Sequence, residues 1–580
     1  MLPERRVRFS VWAPHCRRIT VELSGKRNRS LSLALQGAGL FTGILDDVDP
    51  GSDYFYRLNQ GPARPDPVSR YRPAGVHGPT RIVDPTDFNW SDQGWTGVAT
   101  ADLVIYELHI GTFTSEGTFD SAIERLPMLG QLGVTAVEIM PVAEFPGNRN
   151  WGYDGVSLYA PQSTYGGPEG LRRLVNASHR EGLAVILDVV YNHAGPEGNN
   201  LPEFGPYFSD RHRTPWGKGW NLDRTGSSEV RRYLVDNALY WITEFHLDGL
   251  RLDAADQIAD QSEFHILEEI ASAVRDQSRA LGRTINLIAE SDSDDQRFIQ
   301  RLDRGGHGFD TQWKNDFHHA VHSALTGESQ GYFADFGGIG SVASALSNRP
   351  SASPPSGRFV VFIQNHDQVG NRAGGERLSV LVSAEALRLA AAVLLLSPDL
   401  PLLFMGEEYG ETNPFLYFVS HGDPALVEAV REGRRREFAA FEWPADFPDP
   451  QAEATFSRSR LDWSRATVPA HARLRALYTD LLSRRRNEPA LRPDAARISV
   501  SHDDVERWLR VRFALPGSDL VAVFNFADVV RTVAVPKPGR PHVILSTDDA
   551  KYGGSGDLRL TPAEVTVPPL SAVLLGLSPA

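Results

Sequence analysis

Apolar and polar residues alternate at 7–12, 18–23 and 54–58, the period-two pattern of strands with one buried face. Turn chemistry at Asp49-Pro50-Gly51-Ser52 separates them, and the spacing predicts a small N-terminal β-sandwich over 1–95. The Pro-rich stretch 61–79 reads as a linker or a loop lying on a neighbour. From residue 102 the pattern changes to strand–helix alternation. Strands are predicted at 104–108, 134–139, 184–190, 249–252, 285–289, 308–311, 359–364 and 400–405, and helices at 119–132, 171–179, 229–245, 264–280 and 384–396. Residues 184–190 are nearly all apolar, as in a strand buried on both faces of a parallel sheet.

Eight strands, most followed by a helix, predict an α/β fold: a (β/α)₈ TIM barrel over 96–486, with a Gly/Pro-rich insertion at 191–228 after the third strand. A doubly wound open sheet is the alternative, but no Gly-x-Gly-x-x-Gly turn supports it. Short strands return at 507–513, 520–526, 532–535 and 543–545, predicting a C-terminal β-sandwich over 487–580. The charge run 431–437 reads as a solvated face.

Composition narrows the picture little. A chain of 580 residues is too long for one compact domain. Its net charge of −14 argues against nucleic acid or anionic membrane as partner and is silent about neutral sugars. The single cysteine, Cys16, excludes an internal disulfide and any Cys-based metal site, and reads as a small buried residue in a strand-like run. The first six residues carry no apolar signal core, and the longest apolar run, 387–396, is broken by Arg388 and too short to span a bilayer. A cytoplasmic protein is expected.

Candidate chemistry gathers at four strand ends: Asp188-Val189-Val190-Tyr191-Asn192-His193, Arg251-Leu252-Asp253, Ile288-Ala289-Glu290-Ser291 and Ile363-Gln364-Asn365-His366-Asp367. Barrel enzymes collect their reacting groups at these C-terminal strand ends. Arg251 and Asp253 are two residues apart, share a strand face, and can pair. Any one of these acids could be a structural ion pair. Three of them, Asp253, Glu290 and Asp367, each ending a different apolar strand, form a convergent cluster. A carboxylate pair can hydrolyse a glycosidic bond; a hard-cation site is the competing use, although no Asp-x-Asp or His-x-x-x-His spacing organises a ligand set. No metal or cofactor is expected. His193 and His366 suit hydrogen bonds to a polyol as well as ligation or structural roles.

In order and spacing, the four clusters resemble the four signature regions of the α-amylase superfamily, glycoside hydrolase family 13. The resemblance covers nearly the whole chain, and gives the N-terminal sandwich an immunoglobulin-like, carbohydrate-binding-module-like character. It implies a retaining mechanism with Asp253 as nucleophile, Glu290 as general acid and then base, and Asp367 holding sugar hydroxyls. Arg251 would orient Asp253, His193 and His366 would bind hydroxyls, and Tyr153, in Trp151-Gly152-Tyr153-Asp154, would lie under the sugar. Retention needs the nucleophile and acid roughly 5–5.5 Å apart, and a Glu290 that is protonated near neutral pH.

Within the family, 64–70, 75–79, 191–199, 204–208, 213–217, 315–319 and 325–328 resemble the members that cleave the α-1,4 bond next to a terminal trehalose unit. The implied substrate is maltooligosyl trehalose, or an α-1,4-glucan more broadly, and the implied functional partner is a synthase that forms the trehalose end. One departure stands out. The chain reads Ala254-Ala255-Asp256-Gln257-Ile258 where many relatives carry Val-His at 255 and 256. Asp256 either contacts trehalose hydroxyls or opens a helix, where an acid is favoured. Trp216, Trp220, Asp316 and His319 are the remaining trehalose-side candidates, with a loop anchor as the alternative for each tryptophan. The rival readings are a glycogen branching enzyme, which shares this architecture, and a non-catalytic glucan-binding protein.

Overall fold

The computed structural model describes residues 5–24, 28–291, 295–347, 359–439, 447–493, 495–536 and 539–578. Of the six N-terminal residues read for a signal core, 1–4 lie outside these.

Two small antiparallel sheets open the chain. One pairs Val7–Trp12 with Leu40–Leu45 and Ala34–Gly37; the other runs Arg29–Ser32, Ile19–Ser24, Asp53–Leu58 and Ala63–Arg64, with Thr80–Arg81 beside Asp53–Leu58. The alternation seen in the sequence buries Phe9, Val11, Val21, Phe41 and Tyr56 between them. Cys16 lies in the turn between the first two strands, not within a strand, and is half-buried; burial pushes its thiol up. The stretch 61–79 is packed on the barrel. Tyr233 donates to the Pro67 carbonyl at 3.1 Å, and the enclosed Arg72 donates to Ser157 Oγ at 2.8 Å.

Eight parallel strands close a barrel in the order Ile105–Leu108, Ala136–Ile139, Ala184–Val189, Gly249–Leu252, Asn286–Ala289, Thr311–Trp313, Phe359–Val361 and Leu400–Phe404, the last pairing back to the first. The seventh strand, expected over 359–364, ends at Val361, and two other barrel elements also depart from expectation. The helix predicted at 119–132 is two helices, Phe119–Ile123 and Leu126–Leu132, because Pro127 has no N–H and its ring would meet the carbonyl four residues back. The sixth strand starts at Thr311, not 308, since Gly308 adopts a left-handed conformation (φ +78°) that ends a turn. The insertion 191–228 holds a short helix, Leu201–Phe204, and a hairpin of Phe208–Thr214 with Gly217–Trp220.

The helix Pro424–Ala439 carries the charge run. It is not solvated throughout: Arg434 is buried, lies 4.8 Å from the Tyr417 ring, and donates to Gly370 O at 3.1 Å and Asn371 Oδ1 at 2.9 Å. It thereby ties this helix to the segment that follows the seventh strand. After the last long helix, Pro469–Asn487, a five-stranded and a three-stranded antiparallel sheet enclose a second apolar core built on Val521, Val523, Val565 and Val573. Among the described residues, no helix is long and apolar enough to cross a membrane.

Candidate active site

Parallel pairing places Asp188 beside Arg251, and Leu252 beside Ala289. The groups that follow these strands therefore emerge together at one end of the barrel. Arg251 is the hub. Its Nη1 donates to Asp188 Oδ2 at 2.6 Å and to Asp253 Oδ1 at 2.9 Å, and its Nη2 lies 3.1 Å from Glu290 Oε2. The guanidinium sits 4.3 Å from the centre of the Trp313 ring, a desolvated cation–π contact. Asn192 Nδ2 donates to both the carbonyl and Oδ2 of Asp253, at 2.8 and 2.7 Å. Asp253 is thus held through both carboxylate oxygens.

Glu290 is fixed on the other side. Its Oε2 accepts the Ala254 N–H at 2.6 Å, and Ala254 adopts a left-handed conformation (φ +40°) that only a local constraint keeps in a non-glycine residue. On the far side, His366 Nε2 lies 2.7 Å from Tyr153 Oη and 3.4 Å from Asp367 Oδ2, while Asn371 Nδ2 donates to Asp367 Oδ1 at 3.2 Å. Tyr153 donates to Asp188 Oδ2 at 2.7 Å and stacks on the His366 ring.

Six acids crowd this end of the barrel, and exposure separates them. Glu107, Glu138 and Asp188 are 1–2% exposed, whereas the side chains of Asp253, Glu290 and Asp367 keep 12, 13 and 35%. Only the latter three can meet a substrate. Their environments also differ. Burial pushes Glu290 up to about 8, with Asp253 and Asp367 adding to the shift against the pull of Arg251. Burial alone would raise Asp367 too, but the His366 charge beside it prevails and holds it low. Since Glu290 Oε2 faces an N–H and a guanidinium, its proton belongs on Oε1. Among the described residues, no group of three or more His, Cys, Asp or Glu side chains is arranged to hold a metal ion.

The peripheral candidates fare unevenly. Trp216, at the hairpin tip, is 52% exposed and stacks on His193 at 5.3 Å. Asp256 is exposed in the turn Ala255–Gln257, just past Asp253. Trp220 is 2% exposed and packs on Phe208 and Tyr233, so it cannot touch a sugar; it lies at the inner end of its strand, whose outer residues Gly217 and Lys218 are exposed. Asp316 and His319 lie on Asn315–Thr326, which follows the sixth strand; the His319 ring packs among Tyr332, Phe333 and Phe336, a structural commitment. His193 is buried, with Nε2 donating to the Tyr153 carbonyl at 2.9 Å and Nδ1 against Asn192 Oδ1, so hydroxyl binding would require it to release a protein partner.

Four groups at this site carry no role in the sequence reading: Asp188, Asn192, Glu107 and Glu138. Asp188 and Asn192 stand inside a quoted cluster. Glu107 and Glu138 had a signal as well, an acid in the middle of an otherwise apolar strand. Because Arg251 pairs with three carboxylates away from water, Arg251→Met should cost about 3–5 kcal/mol of stability in urea unfolding. A loss near zero would mean that the acids neutralise one another without it.

A closed parallel barrel whose mouth gathers three reachable carboxylates, two of them beside one arginine, is the frame of a carbohydrate-cleaving enzyme. The family model for the α-amylase catalytic domain matches residues 82–206 and 221–466, and that for the α-amylase C-terminal all-β domain matches 500–578. The chain belongs to the α-amylase family of glycoside hydrolases. It is 46% identical over 550 residues to a malto-oligosyltrehalose trehalohydrolase from Saccharolobus solfataricus, covering 91% of this chain and 92% of that one. It is 47% identical over 571 residues to a protein of the same name from Arthrobacter ramosus, covering 95% and 97%. A crystal structure of an α-amylase-type protein from Salmonella typhimurium superposes with a TM-score of 0.88 at 39% identity, covering 99% of this chain and 98% of that one.

Proposed function

We propose that this protein is a retaining hydrolase that cuts the α-1,4-glucosidic bond next to the terminal trehalose of maltooligosyl trehalose and releases trehalose. The single observation that carries the chemistry is the trio of solvent-reaching carboxylates, two of them flanking one guanidinium. The names of the close relatives support the substrate.

In this reading Asp253 attacks the anomeric carbon and forms a β-glycosyl-enzyme, while Glu290 Oε1 gives its proton to the departing trehalose oxygen. Glu290, now a carboxylate, takes a proton from water, whose oxygen attacks the same carbon and frees Asp253. Asp367 holds hydroxyls of the cleaved sugar, most strongly as positive charge develops on the ring. Tyr153 and His366 shape the sugar's lower face, Arg251 and Asn192 aim Asp253, and His193 supports the wall. Asp256 and Trp216 are the rim groups placed to meet neighbouring sugar units. A synthase that builds the trehalose end would supply the substrate.

Product analysis tests this. Maltooligosyl trehalose should yield free trehalose and a maltooligosaccharide, with amylose gaining no α-1,6 signals in NMR. New α-1,6 linkages with little trehalose would instead identify a branching enzyme. Trp216→Ala should raise KM about 2- to 13-fold, the worth of one ring contact of ~0.5–1.5 kcal/mol, with Tm unchanged. Unchanged KM would remove Trp216 from the sugar path.

A further inference from the structure

Glu107 sits in the first barrel strand, 1% exposed, between Tyr106 and Leu108. A carboxyl there is costly unless something compensates it. Its Oε2 accepts the backbone N–H of His366 at 2.9 Å, and its Oε1 meets His366 Nδ1. The opposite ring nitrogen faces Tyr153 Oη and Asp367 Oδ2. Tyr153 has one proton and directs it to Asp188, so towards His366 its oxygen can only accept. Nε2 must then carry hydrogen. Nδ1 faces Glu107 Oε1, and one proton lies between the two. Carboxylates at both edges of the ring, Glu107 at Nδ1 and Asp367 at Nε2, keep that proton on the imidazole, with Glu107 as its buried countercharge.

A second acid makes that assignment specific. Glu138 is the register partner of Glu107 on the neighbouring strand, is equally buried, and has no hydrogen-bond partner for either oxygen among the described residues. Two adjacent buried carboxyls do not both ionise when only one has a cation. Glu107 has the cation, and Glu138 keeps its proton. The other titratable or charged groups near the ring are Asp367, Tyr153, His109, Asp188 and Arg251.

We propose that Glu107 is a positioning residue for this reaction: by anchoring both the backbone and the ring of His366, it sets where Asp367 and the Tyr153 hydroxyl stand beneath the sugar. This rests on the hydrolase reading above. Glu107 touches no substrate. It acts across the barrel, because the residue after His366 is Asp367 and the ring's far edge meets Tyr153.

The test pairs Glu107→Gln with Glu138→Gln and reads both kinetics and the His366 ring. With histidine labelled at Cε1 and the His366 signal assigned by its loss in His366→Gln, the parent ring should stay in the imidazolium position up to pH 8. In Glu107→Gln it should move to the neutral position at pH 7. The same variant should lose about 100-fold in kcat, the scale of a misplaced reacting group, with KM within about threefold. Glu138→Gln, a neutral isostere of a neutral acid, should leave ring and kcat as in the parent. Glu107→Asp, which restores charge at shorter reach, should recover the imidazolium signal and part of the rate; it also serves if Glu107→Gln does not fold. An imidazolium signal retained in Glu107→Gln, or a kcat loss no greater than in Glu138→Gln, overturns the proposal. If the parent itself releases no trehalose, the hydrolase reading fails instead, and the ring measurement still decides the Glu107–His366 link.

Discussion

Asp253→Asn should lower trehalose release by about four orders of magnitude or more, or ~5 kcal/mol in activation free energy, while oligosaccharide binding stays measurable by calorimetry. The size follows from the role proposed for it: without a nucleophile the covalent intermediate cannot form, and no neighbouring acid is placed to replace it. Asp188 is closed off, and Asp367 is engaged by His366 and Asn371. The variant also carries a structural cost. Asp253 accepts from Arg251 on one oxygen and from Asn192 on the other, so an amide must point an N–H at one of these donors. About 1–3 kcal/mol of stability should be lost in denaturant unfolding. Turnover near the parental rate would show that another group attacks the sugar.

Glu290→Gln should lower kcat by about 10²–10⁴ on maltooligosyl trehalose, and much less on a glycosyl fluoride, whose leaving group needs no proton. The amide oxygen can still accept the Ala254 N–H, so the local fold should hold. The pH profile gives the sharper result. With its pKa raised to about 8, Glu290 is protonated at neutral pH, and the parental kcat/KM should fall as pH rises through that value. The variant should lack this alkaline limb. The same shift bears on folding. The folded-state pKa lies above that of an unfolded glutamate, so its contribution to stability is full at acid pH and is lost as pH rises from the ordinary carboxylate range through about 8. Glu290→Gln should flatten that dependence. An alkaline limb unchanged in the variant would assign the proton to another group.

Much of the site is legible without coordinates because each key residue ends an apolar strand. Period-two alternation puts Arg251 and Asp253 on one face, and the strand itself runs from 249 to 252 as its pattern indicates. The hairpin is less legible. Trp216 and Trp220 look equivalent in a Gly-rich stretch, but one caps the turn and the other faces the core, and only the pairing of Phe208 with Trp220 decides which. His193 looks like a polyol ligand until its two neighbours, Asn192 and the Tyr153 carbonyl, are seen to occupy its ring nitrogens.

The amino-acid sequence by itself determined the alternation of strand and helix, the acids at the strand ends, and therefore a barrel with a carboxylate-lined mouth. These follow from local rules: a two-residue period for strands, a longer one for helices, and turn residues between them. Only the tertiary structure decided which of the six acids stay in contact with solvent, which ion each one meets, and that Glu107 stands against His366 across 259 residues of chain. Barrel closure and strand register set those encounters, and both arise from the packing of all eight strands at once, which no single segment encodes.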